Sequence, residues 1–138
     1  MAVIQLSVFL DNVAGRLAEV TRILGESEVN IRGFSVADTA DFGILRLLVN
    51  DEDVALQALR AARFTVHTGP VALARVPDVP GGLAKALVAF AEQGINVEYA
   101  YAIVNSLIAF GVEDIAAAEV LFQQEGIPLV SLQELKEM

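Results

Sequence analysis

Two short loops carry the residues best suited to hold a ligand. The first is Asn12-Val13-Ala14-Gly15, followed by Arg16-Leu17-Ala18; the second is Asp78-Val79-Pro80-Gly81, followed by Gly82-Leu83-Ala84. Each leads into apolar residues at helical spacing, so each ends at a helix N-terminus. There, backbone amides without intrahelical partners and the helix dipole favour a carboxylate. Gly15 and Gly81 have no Cβ to keep a ligand off the backbone, though the same feature equally lets a helix and a strand pack. Asn30, in Val29-Asn30-Ile31, and Asn96, in Ile95-Asn96-Val97, each offer a donor and an acceptor. That suits a zwitterion, and equally a turn cap. Asp78 could be no more than a favourable charge near a helix start.

Other chemistry is scarce. There is one histidine and no cysteine, and no phosphate loop or metal-ligand spacing, which leaves few general acids, bases or nucleophiles. The missing cysteines remove disulfides and thiolate metal sites. Asp51-Glu52-Asp53 resembles a cation site on paper, yet reads better as the capped first turn of a helix, with Asn50 and Asp53 at capping-box spacing. His67 reads as a solvated residue at a strand end, beside a Gly-Pro turn. Tyr99 and Tyr101 point to one side of a strand and read as packing. No catalysis, cofactor or metal is expected. The net charge of −9 argues against nucleic acid, whose binding rests on Lys and Arg neutralising phosphates. The N-terminus has no basic region and reads as a strand, not as a signal peptide. No apolar run approaches the roughly 20 residues of a membrane helix. A cytoplasmic protein with no membrane partner is expected.

The elements that position the loops come in two copies. Both loops, and both Asn segments, match at one offset (81 − 15 = 66; 96 − 30 = 66). The first copy reads as strand Val3–Leu10, a helix carrying Leu17, Val20 and Leu24, and a hairpin of strands Asn30–Asp38 and Phe42–Val49 turning at Thr39-Ala40-Asp41. A helix from the acidic start to Ala62 and strand Phe64–His67 close it. The second reads as strand Val71–Val76, helix Gly82–Gln93, strands Asn96–Val104 and Leu107–Val112, helix Asp114–Glu125 and strand Ile127–Val130. Past the second hairpin the offset falls to 63 (112 − 49 = 63), which places a three-residue deletion in that turn. The order β-α-β-β-α-β predicts an α+β fold of two ferredoxin-like units, 1–68 and 69–138. Each would be a four-stranded antiparallel sheet with two helices on one face. The halves divide near Thr68-Gly69-Pro70, a connection too short for a flexible linker.

Apolar residues make up 55% of the chain, and they do not alternate cleanly along the central strands. Ile44, Leu48, Leu107 and Ala109 fall on the face opposite the helices. That face therefore needs a cover, from the other half or from a second chain, and a homodimer is expected.

These residues resemble the ACT domain family. Asp78-Val79-Pro80-Gly81-Gly82-Leu83 matches its Asp-x-Pro-Gly-x-Leu loop, and Gly94-Ile95-Asn96-Val97 its Gly-hydrophobic-Asn-hydrophobic segment. The first copy departs at Ala14, in place of the proline, and at Glu28, in place of the glycine. Glu28 should accordingly be forced towards left-handed backbone. The resemblance implies regulatory modules that bind small ligands, most often amino acids, at an interface between paired copies. It places a site between the loop of one copy (Asn12, Val13, Ala14, Gly15 or Asp78, Val79, Pro80, Gly81) and the strand start of another (Asn30, Ile31 or Asn96, Val97). The expected partner is an amino acid or similar small zwitterion. The alternative is a non-catalytic subunit docking on an enzyme of amino-acid metabolism, like the small subunit of acetolactate synthase. Both halves keep both motifs, which favours ligand binding.

Overall fold

The computed structural model describes residues 3–11, 13–38 and 42–138, so the turn expected at Thr39-Ala40-Asp41 lies outside the described residues. The elements are β1 (Val3–Asp11), α1 (Arg16–Glu26), β2 (Ile31–Asp38), β3 (Phe42–Val49), α2 (Glu52–Ala61) and β4 (Thr65–Arg75). There follow α3 (Gly82–Glu92), β5 (Tyr99–Ile103), β6 (Leu107–Gly111), α4 (Ile115–Gln124) and α5 (Leu132–Lys136). The chain forms two compact units. The N-terminal unit holds residues 4–69 together with 135–138, and the C-terminal unit holds residues 70–134 together with Val3.

In the N-terminal unit the strand order is β2-β3-β1-β4, with antiparallel pairing of β1 to β3 and of β2 to β3. In the C-terminal unit β6 lies between β4 and β5, antiparallel to both. Leu129 bridges Ala74 on the far side of β4. The strand expected at Ile127–Val130 is reduced to that bridge and two backbone bonds, Arg75 N–H to Pro128 O and Val130 N–H to Leu73 O, both 2.8 Å. Pro128 has no N–H with which to extend a ladder. The units divide between Gly69 and Pro70, but no loop connects them: β4 runs through Thr68-Gly69-Pro70 as one strand.

The cores have the same plan and different volumes. In the N-terminal unit Leu6, Val8 and Leu10 of β1 and Leu45, Leu47 and Val49 of β3 pack on α1 and α2. In the C-terminal unit the places of Leu6 and Val8 fall to Ala72 and Ala74. The lost volume returns elsewhere: Leu24, Leu47 and Leu59 become Phe90, Phe110 and Phe122 at the same repeat offsets. These three rings meet pairwise with centroids 5.0–5.3 Å apart. Cores accept such exchanges when total volume is kept.

The exchange recurs on the opposite face. Gly33 pairs with Leu48 in the N-terminal unit, and Tyr99 with Gly111 in the C-terminal unit. The large residue has moved from one strand to its neighbour. On this face Leu48, Leu107 and Ala109 are fully buried and Ile44 is half-buried. The single chain already withdraws these residues from solvent, so they supply no ground for a second chain.

All four long helices end alike. The N–H two residues past the C-cap reaches back to the third-last helical carbonyl: Val29 to Leu24, Phe64 to Leu59, Ile95 to Phe90 and Ile127 to Phe122, at 2.9–3.0 Å. This is the Schellman arrangement, with its apolar pair at each end. It needs a left-handed residue just past the cap. Gly94 and Gly126 supply one in the C-terminal unit, whereas Glu28 (φ 60°) and Arg63 (φ 70°) are held there in the N-terminal unit. Each of these two carries a steric cost of about 1 kcal/mol. The expectation for Glu28 therefore holds, and Gly25 lies inside α1.

Two local expectations change. Asp51, not Asn50, caps α2, its side chain accepting from Val54 N–H at 3.2 Å. Asn50 instead clips two strand ends together: its Oδ1 accepts from Asn30 N–H at 2.8 Å, while its own N–H donates to Asn30 O at 3.1 Å. Helix α5 was not expected. Ser131 and Glu134 form its capping box, with Glu134 N–H on Ser131 Oγ at 3.1 Å and Ser131 N–H on Glu134 Oε1 at 3.4 Å. In the N-terminal unit Leu135 is fully buried. Lys136 Nζ lies 3.6 Å from Glu52 Oε2, a buried oxygen without a hydrogen bond.

Candidate functional site

The two loops are built alike from the backbone up. Gly15 (φ 90°) and Gly81 (φ 84°) stand as N-caps of α1 and α3 in the left-handed region, without a side-chain cap. Any residue with a Cβ is strained there. Each loop closes on itself, Arg16 N–H to Val13 O at 3.4 Å and Gly82 N–H to Val79 O at 2.9 Å. The first helical carbonyl bonds then follow, Glu19 to Gly15 at 2.9 Å and Lys85 to Gly81 at 3.0 Å. At position 82 glycine is also a spatial requirement: a Cβ would fall 2.1 Å from Pro77 O.

Two cavities flank the second loop. One, of about 380 Å³, is bounded by Asp78, Val79 and Leu83 together with Ala102, Ser106 and Ile108. Its floor is apolar and Asp78 supplies a carboxylate at the rim. Asn105 (φ 59°) and Ser106 (φ 60°) turn the β5–β6 hairpin with two successive left-handed residues, as a tight hairpin demands. The turn brings Ser106 to the cavity. The second cavity, of about 270 Å³, lies on the other side of the loop, against Pro80, Gly81 and the turn after α4. A larger depression of about 460 Å³ lies between α4 and the end of α3, remote from the loops. Among the described residues no cluster of His, Cys, Asp or Glu could hold a metal ion.

The proposed site residues do not all converge. Asp78, Val79, Pro80 and Gly81 border the two cavities. Asn96 is exposed, and neither it nor Val97 borders either cavity. Val97 and Ile31 are half-buried against their units' cores, so their side chains serve packing. Asn30 is held by Asn50, as described above. Val13, Ala14 and Gly15 are exposed, and Asn12 lies outside the described residues. The cavity walls that sequence reasoning missed are Leu83, Ala102, Ser106 and Ile108. Leu83 was within reach, because it answers Leu17 in the repeated Gly-x-Leu.

Repeated loops, split β-α-β units and matching helix ends define a pair of related α+β modules. The chain belongs to the ACT family: the model of an ACT domain pair matches residues 1–137. It is 33% identical to protein BT0572 from Bacteroides thetaiotaomicron, with a TM-score of 0.93 over 100% of this chain and 98% of that one. The fold is shared with the regulatory subunit of aspartate kinase from Thermus thermophilus, at 20% identity and TM-score 0.64 over 88% of this chain and 91% of that one. The corresponding subunit from Thermus flavus is 18% identical, with TM-score 0.64 over 90% and 92%. No curated protein matches. Among the described residues no helix is long and apolar enough to cross a membrane.

Proposed function

We propose that the chain is a non-catalytic cytoplasmic regulator that binds an amino acid at the Asp78–Gly81 loop and works as a homodimer. The observation that carries the reading is the cavity of about 380 Å³ beside that loop, with Asp78 at its rim and apolar side chains within. Asp78 can receive an ammonium group, while the start of α3 favours a carboxylate. The apolar floor suits an aliphatic side chain. A thermal-shift screen of the twenty amino acids should raise the melting temperature with one or a few of them, because a ligand of the native state stabilises it. Asp78→Asn should weaken that response about tenfold, removing a charged hydrogen-bond partner.

The dimer is supported at the edge strand β2, where Phe34 and Val36 are 58% and 47% exposed. An open edge with apolar side chains is a ready template for pairing. Sedimentation at micromolar concentration should show two chains; a stable monomer refutes the dimer.

One observation favours the second reading, a docking subunit of an enzyme. The helices of the C-terminal unit leave Leu83, Leu87, Val88 and Val120 exposed, whereas α1 turns Arg16, Glu19, Arg22 and Glu26 to ion pairs at its surface. The same screen separates the two readings, because a pure docking subunit responds to none of the twenty.

A further inference from the structure

The two units carry one cavity in common, and only one of the two linings includes a carboxylate. In the N-terminal unit it lies between the β1–α1 loop and the turn after α2, has a volume of about 250 Å³, and includes Phe9, Asp11, Arg16 and Phe64 in its walls. The Arg16 guanidinium sits 5.9 Å from the centre of the Phe64 ring. It pairs with Asp11 at 3.4 Å and Glu19 at 3.2 Å. Arg63 is a second cation in this lining, while the Arg16 guanidinium is answered by carboxylates of its own unit.

The cavity of about 270 Å³ in the C-terminal unit occupies the corresponding place. At the repeat offset of 66, Phe9 becomes Arg75, Asp11 becomes Pro77, Arg16 becomes Gly82 and Glu19 becomes Lys85. At the offset of 63, Phe64 becomes Ile127. Two cations border the space, and no carboxylate does. Among the described residues neither Arg75 nor Lys85 has an ion-pair partner. The remaining walls are apolar, with Val76, Val79 and Ile127 prominent.

We infer that this second cavity binds a small branched aliphatic 2-oxo acid. Its carboxylate answers one cation, as Asp11 and Glu19 answer Arg16 in the other unit. The 2-oxo oxygen accepts from the second cation, and the branched tail lies on the apolar walls. An amino acid fits less well, because the lining offers no carboxylate to its ammonium group. This site lies across the loop from the amino-acid cavity and stands independently of it.

Calorimetric titration of the full chain with 3-methyl-2-oxobutanoate should show saturable binding of one molecule per chain. Inorganic phosphate should bind at least about tenfold more weakly, lacking the apolar contact. Lys85→Glu and Arg75→Phe each restore the residue of the N-terminal unit and should each weaken the oxo acid about tenfold. Both side chains are exposed, so the melting temperature of the free protein should stay unchanged. No saturable binding, binding that survives both substitutions, or phosphate binding as tight as the oxo acid overturns the inference. Asp78 borders only the other cavity. Asp78→Asn should therefore spare the oxo acid while weakening an amino acid, so the two proposals fail separately.

Discussion

Gly111→Leu should destabilise the protein by about 2–3 kcal/mol, the upper range for forcing bulk into a packed site. A Cβ at position 111 would fall 1.9 Å from Cε2 of Tyr99 and 2.1 Å from its Cζ. The Tyr99 ring therefore occupies the space above Gly111, and it also stacks on Tyr101 with centroids 6.4 Å apart. Tyr99→Gly alone should also destabilise, by removing a half-buried ring from a strand. The double substitution rebuilds the Gly33–Leu48 arrangement of the other unit. It should be more stable than the sum of the single changes by over about 1 kcal/mol, as contacting residues couple. Urea unfolding of the four proteins measures this, and strict additivity would show that the exchange of sizes is incidental.

Phe90→Ala should cost about 3–5 kcal/mol, the usual loss for a buried aromatic. Phe90 touches both other rings of its core and also ends the hydrogen bond from Ile95 that closes α3. Phe90→Leu copies the N-terminal unit, yet it should still destabilise by about 1 kcal/mol or more. The opposing strand offers Ala72 and Ala74 where the other unit has Leu6 and Val8, so the smaller side chain leaves a void. Denaturant midpoints should rank the native protein above the leucine variant, and that above the alanine variant. A leucine variant as stable as the native protein would sink the volume argument.

Much of the fold was legible because the repeat supplied each element twice. Strand β3 has the expected ends, Phe42 and Val49, since alternation and flanking polar residues mark both. The deletion also falls where the offset placed it. Ala37 pairs with Ile44 across residues 38–43, and Ile103 with Leu107 across only 104–106. Glu28 was legible through Gly94 alone, because nothing in glutamate announces positive φ. Gly69-Pro70 misled: the pair normally punctuates a chain, but here β4 carries it through the boundary between units. Helix α5 was missed because five residues show no helical period, although Ser131 and Glu134 have the spacing of a capping box. At the site, the loop was legible and the walls were not. Ser106 arrives on the shortened hairpin, where the repeat has no counterpart to compare. Asn30 shows why residue type alone was insufficient. Its backbone, not its amide, makes the bonds that matter, and its partner Asn50 lies twenty residues away.

The return of residues 135–138 to the N-terminal unit sets an order of events at the ribosome. Leu135 belongs to that unit and is fully buried, so residues 4–69 alone lack part of the unit. It must wait while residues 70–134 are synthesised, an interval of roughly 3–13 s at about 5–20 residues per second. During that interval the place of Leu135 in the unit stays unfilled. The aromatic core of the C-terminal unit is contained in residues 70–134 and does not depend on residues 135–138. The unit translated first is thus the one completed last.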